Sequence, residues 1–149
     1  MNISFDLDST LIPNGDEFDT EKRSVIAKFF GIERIRIGSS ELISELQKEG
    51  HKIHIYTTSF RTKGKIRRFL KYYGIKVDRI VNQKENERTL KSLNIISSKF
   101  PSAFDFDIHI DDSKGVGIEA NRFNFKAIIV EQSDKSWVEK IKKEIKNIG

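Results

Sequence analysis

The stretch Phe5-Asp6-Leu7-Asp8-Ser9-Thr10-Leu11 decides how the rest of this chain is read. It closes a short apolar, strand-like run that begins at Ile3. Two carboxylates separated by one residue at the exit of a strand repel each other when both are charged. Such a pair ordinarily needs something to offset the charge, most commonly a divalent cation. Three groups further along fit the same requirement: Tyr56-Thr57-Thr58-Ser59, Lys84, and Ile110-Asp111-Asp112-Ser113.

The surrounding pattern is an alternation of strands and helices. Residues 2–7 read as a short buried strand. Residues 11–20 contain Pro13, Asn14-Gly15 and several acids, and read as a loop. A helix over 21–30 places Val25, Ile26, Phe29 and Phe30 on one face and stops at Gly31. Ser39 or Ser40 caps a helix over 41–49 that ends at Gly50. Residues 53–56 form the second strand. The segment 62–73 spaces Ile66, Phe69, Leu70 and Tyr73 as a helix does, before Gly74. A third strand over 77–81 precedes a helix over 85–97 that carries Leu90, Leu93 and Ile96. A fourth strand over 106–110, a helix over 115–123 and a fifth strand over 127–130 follow. Trp137, Val138, Ile141, Ile145 and Ile148 mark a closing amphipathic helix.

This order predicts an α/β fold: a three-layer αβα sandwich around a mostly parallel five-stranded sheet. No repeat, low-complexity tract or linker divides the chain, so a single domain over 1–149 is expected. In open sheets of this kind ligands bind outside the carboxyl ends of the strands. Asp6 to Thr10 follow strand one, Thr57 to Ser59 strand two, Lys84 strand three and Asp111 to Ser113 strand four. All four candidate groups therefore fall on one edge.

The chain has 149 residues, 37% hydrophobic and 33% charged, a balance that reads as soluble and globular. No apolar stretch approaches the ~18 residues of a membrane span. No basic-then-apolar leader is seen, so a cytoplasmic protein with no membrane partner is expected. The absence of cysteine excludes disulfides, thiolate catalysis and zinc–thiolate sites. The net charge of +5 favours anionic partners.

Taken in order, Asp6-x-Asp8-x-Thr10, Thr57, a lysine and Asp111-Asp112 resemble the four motifs of the haloacid dehalogenase (HAD) superfamily, most of whose members are Mg²⁺-dependent phosphatases. The resemblance implies a HAD-like, Rossmann-type fold. The cap that relatives carry would be minimal or absent, because the gap over 12–38 holds one short helix and the gap over 60–80 one helix and a loop. It implies that Asp6 is the nucleophile, forming an aspartyl phosphate, and that Asp8 is the general acid–base. Mg²⁺ would be held by Asp6, the main-chain carbonyl of Asp8 and Asp112, with Asp111 orienting ligands or waters around it. Thr57, or Thr58 as the near alternative, would donate to a phosphoryl oxygen. Ser9, Thr10, Thr58 and Arg61 are the other expected substrate contacts.

The family's lysine offsets the charge of nucleophile and phosphate. Lys84 is preferred because it ends strand three and opens a helix on the active edge. Lys99, in Ser98-Lys99-Phe100-Pro101, is the rival, although the preceding helix should deliver it to the opposite edge.

Arg61, Lys63, Lys65, Arg67, Arg68 and Lys71 fall within eleven residues, and no acid occurs between His51 and Val77. The cluster reads either as a steering surface beside the site or as a solvated face around a core stripe. A nucleic-acid groove is not favoured, since interleaved exposed aromatics are not evident in the sequence. His54 and His109 lie in strands beside the second and fourth groups and read as core or surface histidines, with a supporting place behind the site as the alternative, and Trp137 reads as core.

The expected activity is hydrolysis of a phosphomonoester on a phosphorylated small molecule or a bulky phosphorylated substrate, which an open site suits. Two other classes compete. A phosphoryl-accepting receiver domain would put its acidic pair on strand one and its acceptor on strand three, the reverse of this order. A catalytically silent binding module on the same scaffold would be expected to lose one of Asp6, Asp8 and Asp112.

Overall fold

The computed structural model describes residues 1–149. Five strands, β1 (Asn2–Phe5), β2 (Lys52–Tyr56), β3 (Arg79–Val81), β4 (Ile108–Asp111) and β5 (Ala127–Ile129), form one sheet in the order β3-β2-β1-β4-β5. Every pairing is parallel. The helices are α1 (Val25–Phe29), α2 (Ser39–Lys48), α3 (Lys63–Tyr72), α4 (Gln83–Ser92), α5 (Lys114–Phe123) and α6 (Trp137–Ile148), with a 3₁₀ turn at Pro101–Phe104.

The chain grows outward from β1 to β3, then crosses back over the sheet to β4 and β5. Right-handed crossovers in opposite directions put their helices on opposite faces, which gives the three layers.

Strand alternation divides the sheet into an apolar and a polar face. Ile3, Phe5, Ile53, Ile55, Ile108 and Ile110 enter one large core with Leu42 and Leu46 of α2, Phe69 and Leu70 of α3, and Trp137, Ile141 and Ile145 of α6. The residues between them, Ser4, His54, Tyr56 and His109, face the other way. Ser4 lies opposite His54 on one side and His109 on the other. This buried polar row leads into Asp6 and Asp111 at the carboxyl edge.

Three sequence expectations change. The stripe Val25, Ile26, Phe29 and Phe30 is exposed, and only Ala27 of α1 is buried. A five-residue helix held by the Ser24 cap turns its small residue inward, leaving the large ones to solvent. α4 is also shorter than expected. Asn94 takes a left-handed conformation (φ 53°) just past its end, so Leu93 and Ile96 lie outside the core. At the start of α2 the cap differs too. Glu21 accepts from the Ser40 backbone N–H at 2.9 Å, and Gly38 occupies the cap position with φ 86°. A Cβ on Gly38 would lie 2.9 Å from Val138, so both its conformation and its space call for glycine.

Candidate active site

Beyond β1 the chain bends sharply. Leu11 and Ile12 both donate to the Leu7 carbonyl, and Ser9, with φ 60°, donates to the Ile12 carbonyl at 2.7 Å. The turn keeps Asp6 and Asp8 on one small cleft of about 290 Å³, shared with Thr58, Lys99, Asp111 and Asp112.

Lys99 is the centre of the arrangement. Its buried ammonium donates to Asp6 Oδ1 at 2.6 Å and to Asp111 Oδ2 at 2.5 Å. The preference for Lys84 is thereby corrected. Lys84 is exposed on the first turn of α4, roughly opposite the buried Asn86–Leu90 stripe, and makes no bond to the site.

Lys99 reaches the active edge because the chain doubles back along α4. Ten helical residues rise about 15 Å, a distance that five or six extended residues recross. The return is pinned at its end. Asn86 donates to the Ser98 carbonyl at 2.8 Å, Tyr56 Oη accepts from the Phe100 N–H at 2.8 Å, and Glu119 accepts from the Ser98 N–H at 2.7 Å.

The acids carry different loads. Burial raises the Asp6 carboxyl to about 6, against the opposing pull of Lys99. Burial also works against the charge of Asp111. A hydrogen bond from His109 and the adjacent ammonium outweigh it and hold Asp111 well below the usual carboxylate range. The Lys99 ammonium is itself pushed up, because Asp6 and Asp111 outweigh its burial. His109, fully buried and close to Lys99, is pushed down to about 4 and is neutral near pH 7. Asp111 can only accept, so the ring proton sits on Nε2 and donates to Oδ2 at 2.9 Å, while Nδ1 faces the Ser4 hydroxyl at 2.9 Å.

Asp112 has only neutral partners: Thr10 Oγ1 at 3.1 Å and Gln132 Nε2 at 2.9 Å. Burial raises its carboxyl. Asp6, Asp111 and Asp112 each offer one oxygen within 4.8 Å of the others. Three carboxylates thus face one ammonium, and an all-oxygen set with an excess of negative charge suits a hard divalent cation.

The other expected residues are sorted by the structure. Thr57 is buried, and its Oγ1 accepts from the Ser59 N–H at 3.1 Å. Strand alternation carries it away from the Asp6 face, and Thr58, one residue on, lines the cleft. Ser9 donates to Glu17 at 3.1 Å and Thr10 to Asp112, so both hydroxyls brace the site instead of lining the cleft. Arg61 grips Glu33 with two bonds, at 2.8 and 2.9 Å, and Asp8 with a third at 2.9 Å.

Gln132 and Arg36 were not read from the sequence as parts of the site, whereas His109, weighed there as a supporting residue, does bond Asp111. Arg36 is buried between the rings of Phe18 (4.5 Å) and Trp137 (4.7 Å). Its Nη2 donates to the carbonyls of Glu131, Gln132 and Asp134 at 2.9, 3.2 and 2.8 Å, which holds Gln132 against Asp112. The rule that placed the other groups, ligands beyond strand ends, also covers the turn after β5 and would have flagged Gln132.

Solved structures share this architecture. A chain of the Pnkp1/Rnl/Hen1 complex superposes with a TM-score of 0.57 at 18% identity over 89% of this chain. This chain spans 46% of that one. A predicted HAD-like family hydrolase from Porphyromonas gingivalis gives 0.52 at 11% identity, covering 97% of both chains. A predicted phosphatase from Clostridium acetobutylicum gives 0.50 at 16% identity, over 99% of this chain and 90% of that one. The chain therefore has a HAD-like fold. No protein-family profile and no curated protein matches it. No helix is long and apolar enough to cross a membrane.

Proposed function

We propose that this protein is a Mg²⁺-dependent phosphatase that transfers a phosphoryl group to Asp6 and then to water. The observation that carries the reading is the Lys99 ammonium, buried between Asp6 and Asp111 beside the cation-ready Asp112. A lone buried carboxylate pair would be costly, and this charge pattern is completed by a cation and a phosphate.

Asp6 presents one oxygen to Lys99, which leaves the other to attack phosphorus in line. Lys99 offsets the charge that accumulates as phosphate approaches the carboxylate. Asp8, at the rim, gives a proton to the leaving oxygen and then takes one from the incoming water. Arg61 aims it, with Glu33 bracing the guanidinium. Thr58 stands where it can donate to a phosphoryl oxygen. Asp6, the Asp8 carbonyl and Asp112 would hold the cation, which supplies charge neutralisation for the transferred group. Asp111 is engaged by Lys99 and His109 and positions them.

The test is hydrolysis of an aryl phosphate with and without Mg²⁺ by wild type, Asp6→Asn and Asp8→Asn. Mg²⁺-dependent turnover that both variants lose supports the reading. Turnover that survives Asp6→Asn, or that ignores Mg²⁺, overturns it. A failure to turn over any of a panel of phosphorylated metabolites, nucleotides and phosphopeptides, with no Mg²⁺ binding, would leave a binding module on this scaffold.

A further inference from the structure

The apolar stripe of α1 is open to solvent, and it does not stand alone. Phe29 and Phe30 are 85% and 65% exposed. The segment carrying them is tied along α3 at several points. Tyr72 Oη accepts from the Ser24 N–H at 2.9 Å, Tyr73 Oη donates to the Glu33 carbonyl at 2.8 Å, and Arg61 grips the Glu33 carboxylate. Two more exposed rings mark the ends of α3: Phe60, 74% exposed beside Arg61, and Tyr72, 40% exposed.

α3 supplies the charge. Lys63 is paired with Glu85, and Arg61 with Asp8 and Glu33. Lys65, Arg67, Arg68 and Lys71 are exposed and make no ion pair. Four unpaired cations thus spread over the solvent side of α3, with Lys65 and Arg68 nearest Tyr72 by helix phase. The α1 segment with its open rings is tied along the Tyr72 flank, from the cleft where Arg61 touches Asp8 outward.

Two occupants compete for such a face. A second copy related by a two-fold axis would bring one cationic ridge close to another, which like charges oppose. A single-stranded nucleic acid matches both features: its phosphates neutralise the cations, and its bases stack on the rings. The sequence did not favour this partner because interleaved exposed aromatics were not evident, and the fold leaves Phe29 and Phe30 exposed.

We propose that the α1–α3 face binds single-stranded nucleic acid and that the group processed in the cleft is a terminal phosphate of the strand. The docking stands by itself, and the turnover rests on the phosphatase reading above. In that reaction the bond between phosphorus and the strand's terminal oxygen breaks as the Asp6 oxygen bonds to phosphorus. Asp8 protonates the strand's oxygen. Water then attacks the phosphoryl group and gives its proton to Asp8, leaving a strand with a free hydroxyl, inorganic phosphate and regenerated Asp6.

The experiment is fluorescence anisotropy of a labelled oligothymidylate with a terminal phosphate, in EDTA, across a salt series, with hydrolysis of aryl phosphate and of the same oligonucleotide assayed separately in Mg²⁺. With four cations engaged, the affinity should fall about 50-fold between 50 and 200 mM salt. Phe29→Ala/Phe30→Ala should weaken binding about tenfold or more, and Arg67→Glu/Arg68→Glu should weaken it and flatten its salt dependence. Both variants should hydrolyse aryl phosphate as wild type does.

Absent or salt-insensitive binding overturns the proposal, as does binding that neither variant weakens. So does a dimer that Phe29→Ala/Phe30→Ala dissolves, which would assign the face to a second copy. Turnover of aryl phosphate but not of the bound oligonucleotide overturns the substrate assignment. Specific binding without turnover of either compound supports the docking face and overturns the phosphatase reading instead.

Discussion

Replacing Lys99 with methionine keeps most of the apolar stem of the side chain and removes its charged end. Asp6 and Asp111 would then face each other across a buried site with no ammonium between them. Removing one partner of a buried ion pair costs about 3–5 kcal/mol, because the remaining charge is left uncompensated. For a chain of this size that corresponds to a fall in Tm of about 6–20 °C. The assay is urea unfolding at pH 7.5 in EDTA, followed by the fluorescence of Trp137, the single, buried tryptophan. Two controls sharpen it. Lys84→Met, at an exposed position, should stay within about 0.5 kcal/mol of wild type. Adding Asp6→Asn to Lys99→Met should restore a large part of the loss, since the amide removes the repulsion. A Lys99→Met protein within 1 kcal/mol of wild type, or a double variant no more stable than the single one, would refute this account of how the site is held.

Asp6 and His109 should give opposite pH dependences in metal-free protein. Asp6 is raised to about 6, so its contribution is present at low pH and is lost as pH rises from about 4 through 6. His109 is lowered to about 4, so its contribution is present above about 6.5 and is lost as pH falls towards 4. The two offset each other in wild type. Asp6→Asn should therefore gain stability as pH rises from 4 to 6.5 and His109→Gln should lose it, and denaturant midpoints across that range check the signs. Gln132→Ala should weaken Mg²⁺ binding, read by calorimetry, about 10- to 100-fold while leaving metal-free stability nearly unchanged. Asp8→Asn should lower kcat for aryl phosphate about 10²- to 10⁴-fold with little change in Mg²⁺ affinity.

The sequence carried the framework of the site because strand ends are marked by local features. Short apolar runs, each followed by polar residues, located the ends of β1, β2 and β4, and parallel topology put them on one edge. What it could not carry depended on chain return and helix phase. Lys84 was attractive because α4 begins at the active edge, yet helix phase turns it to solvent. Lys99 was discounted because α4 ends at the far edge, and nothing local announces that residues 93–99 run back along it. The α1 stripe misled for another reason: apolar spacing says which residues share a face, not whether another element covers it. The strand-end rule reaches Gln132 in the turn after β5, but the shape of that turn is set by three carbonyls on the Arg36 guanidinium, a tertiary device with no local signature.

The claim that Asp6 is the phosphoryl acceptor is tested most directly by trapping it. Enzyme turning over aryl phosphate with Mg²⁺ is quenched in acid, reduced with borohydride and mapped by peptide mass spectrometry, because reduction converts an aspartyl phosphate to homoserine. The account predicts homoserine at position 6, dependent on substrate and Mg²⁺, and increased by Asp8→Asn as hydrolysis of the intermediate slows. Turnover with position 6 unmodified in both wild type and Asp8→Asn, or conversion at position 8 instead, would contradict it.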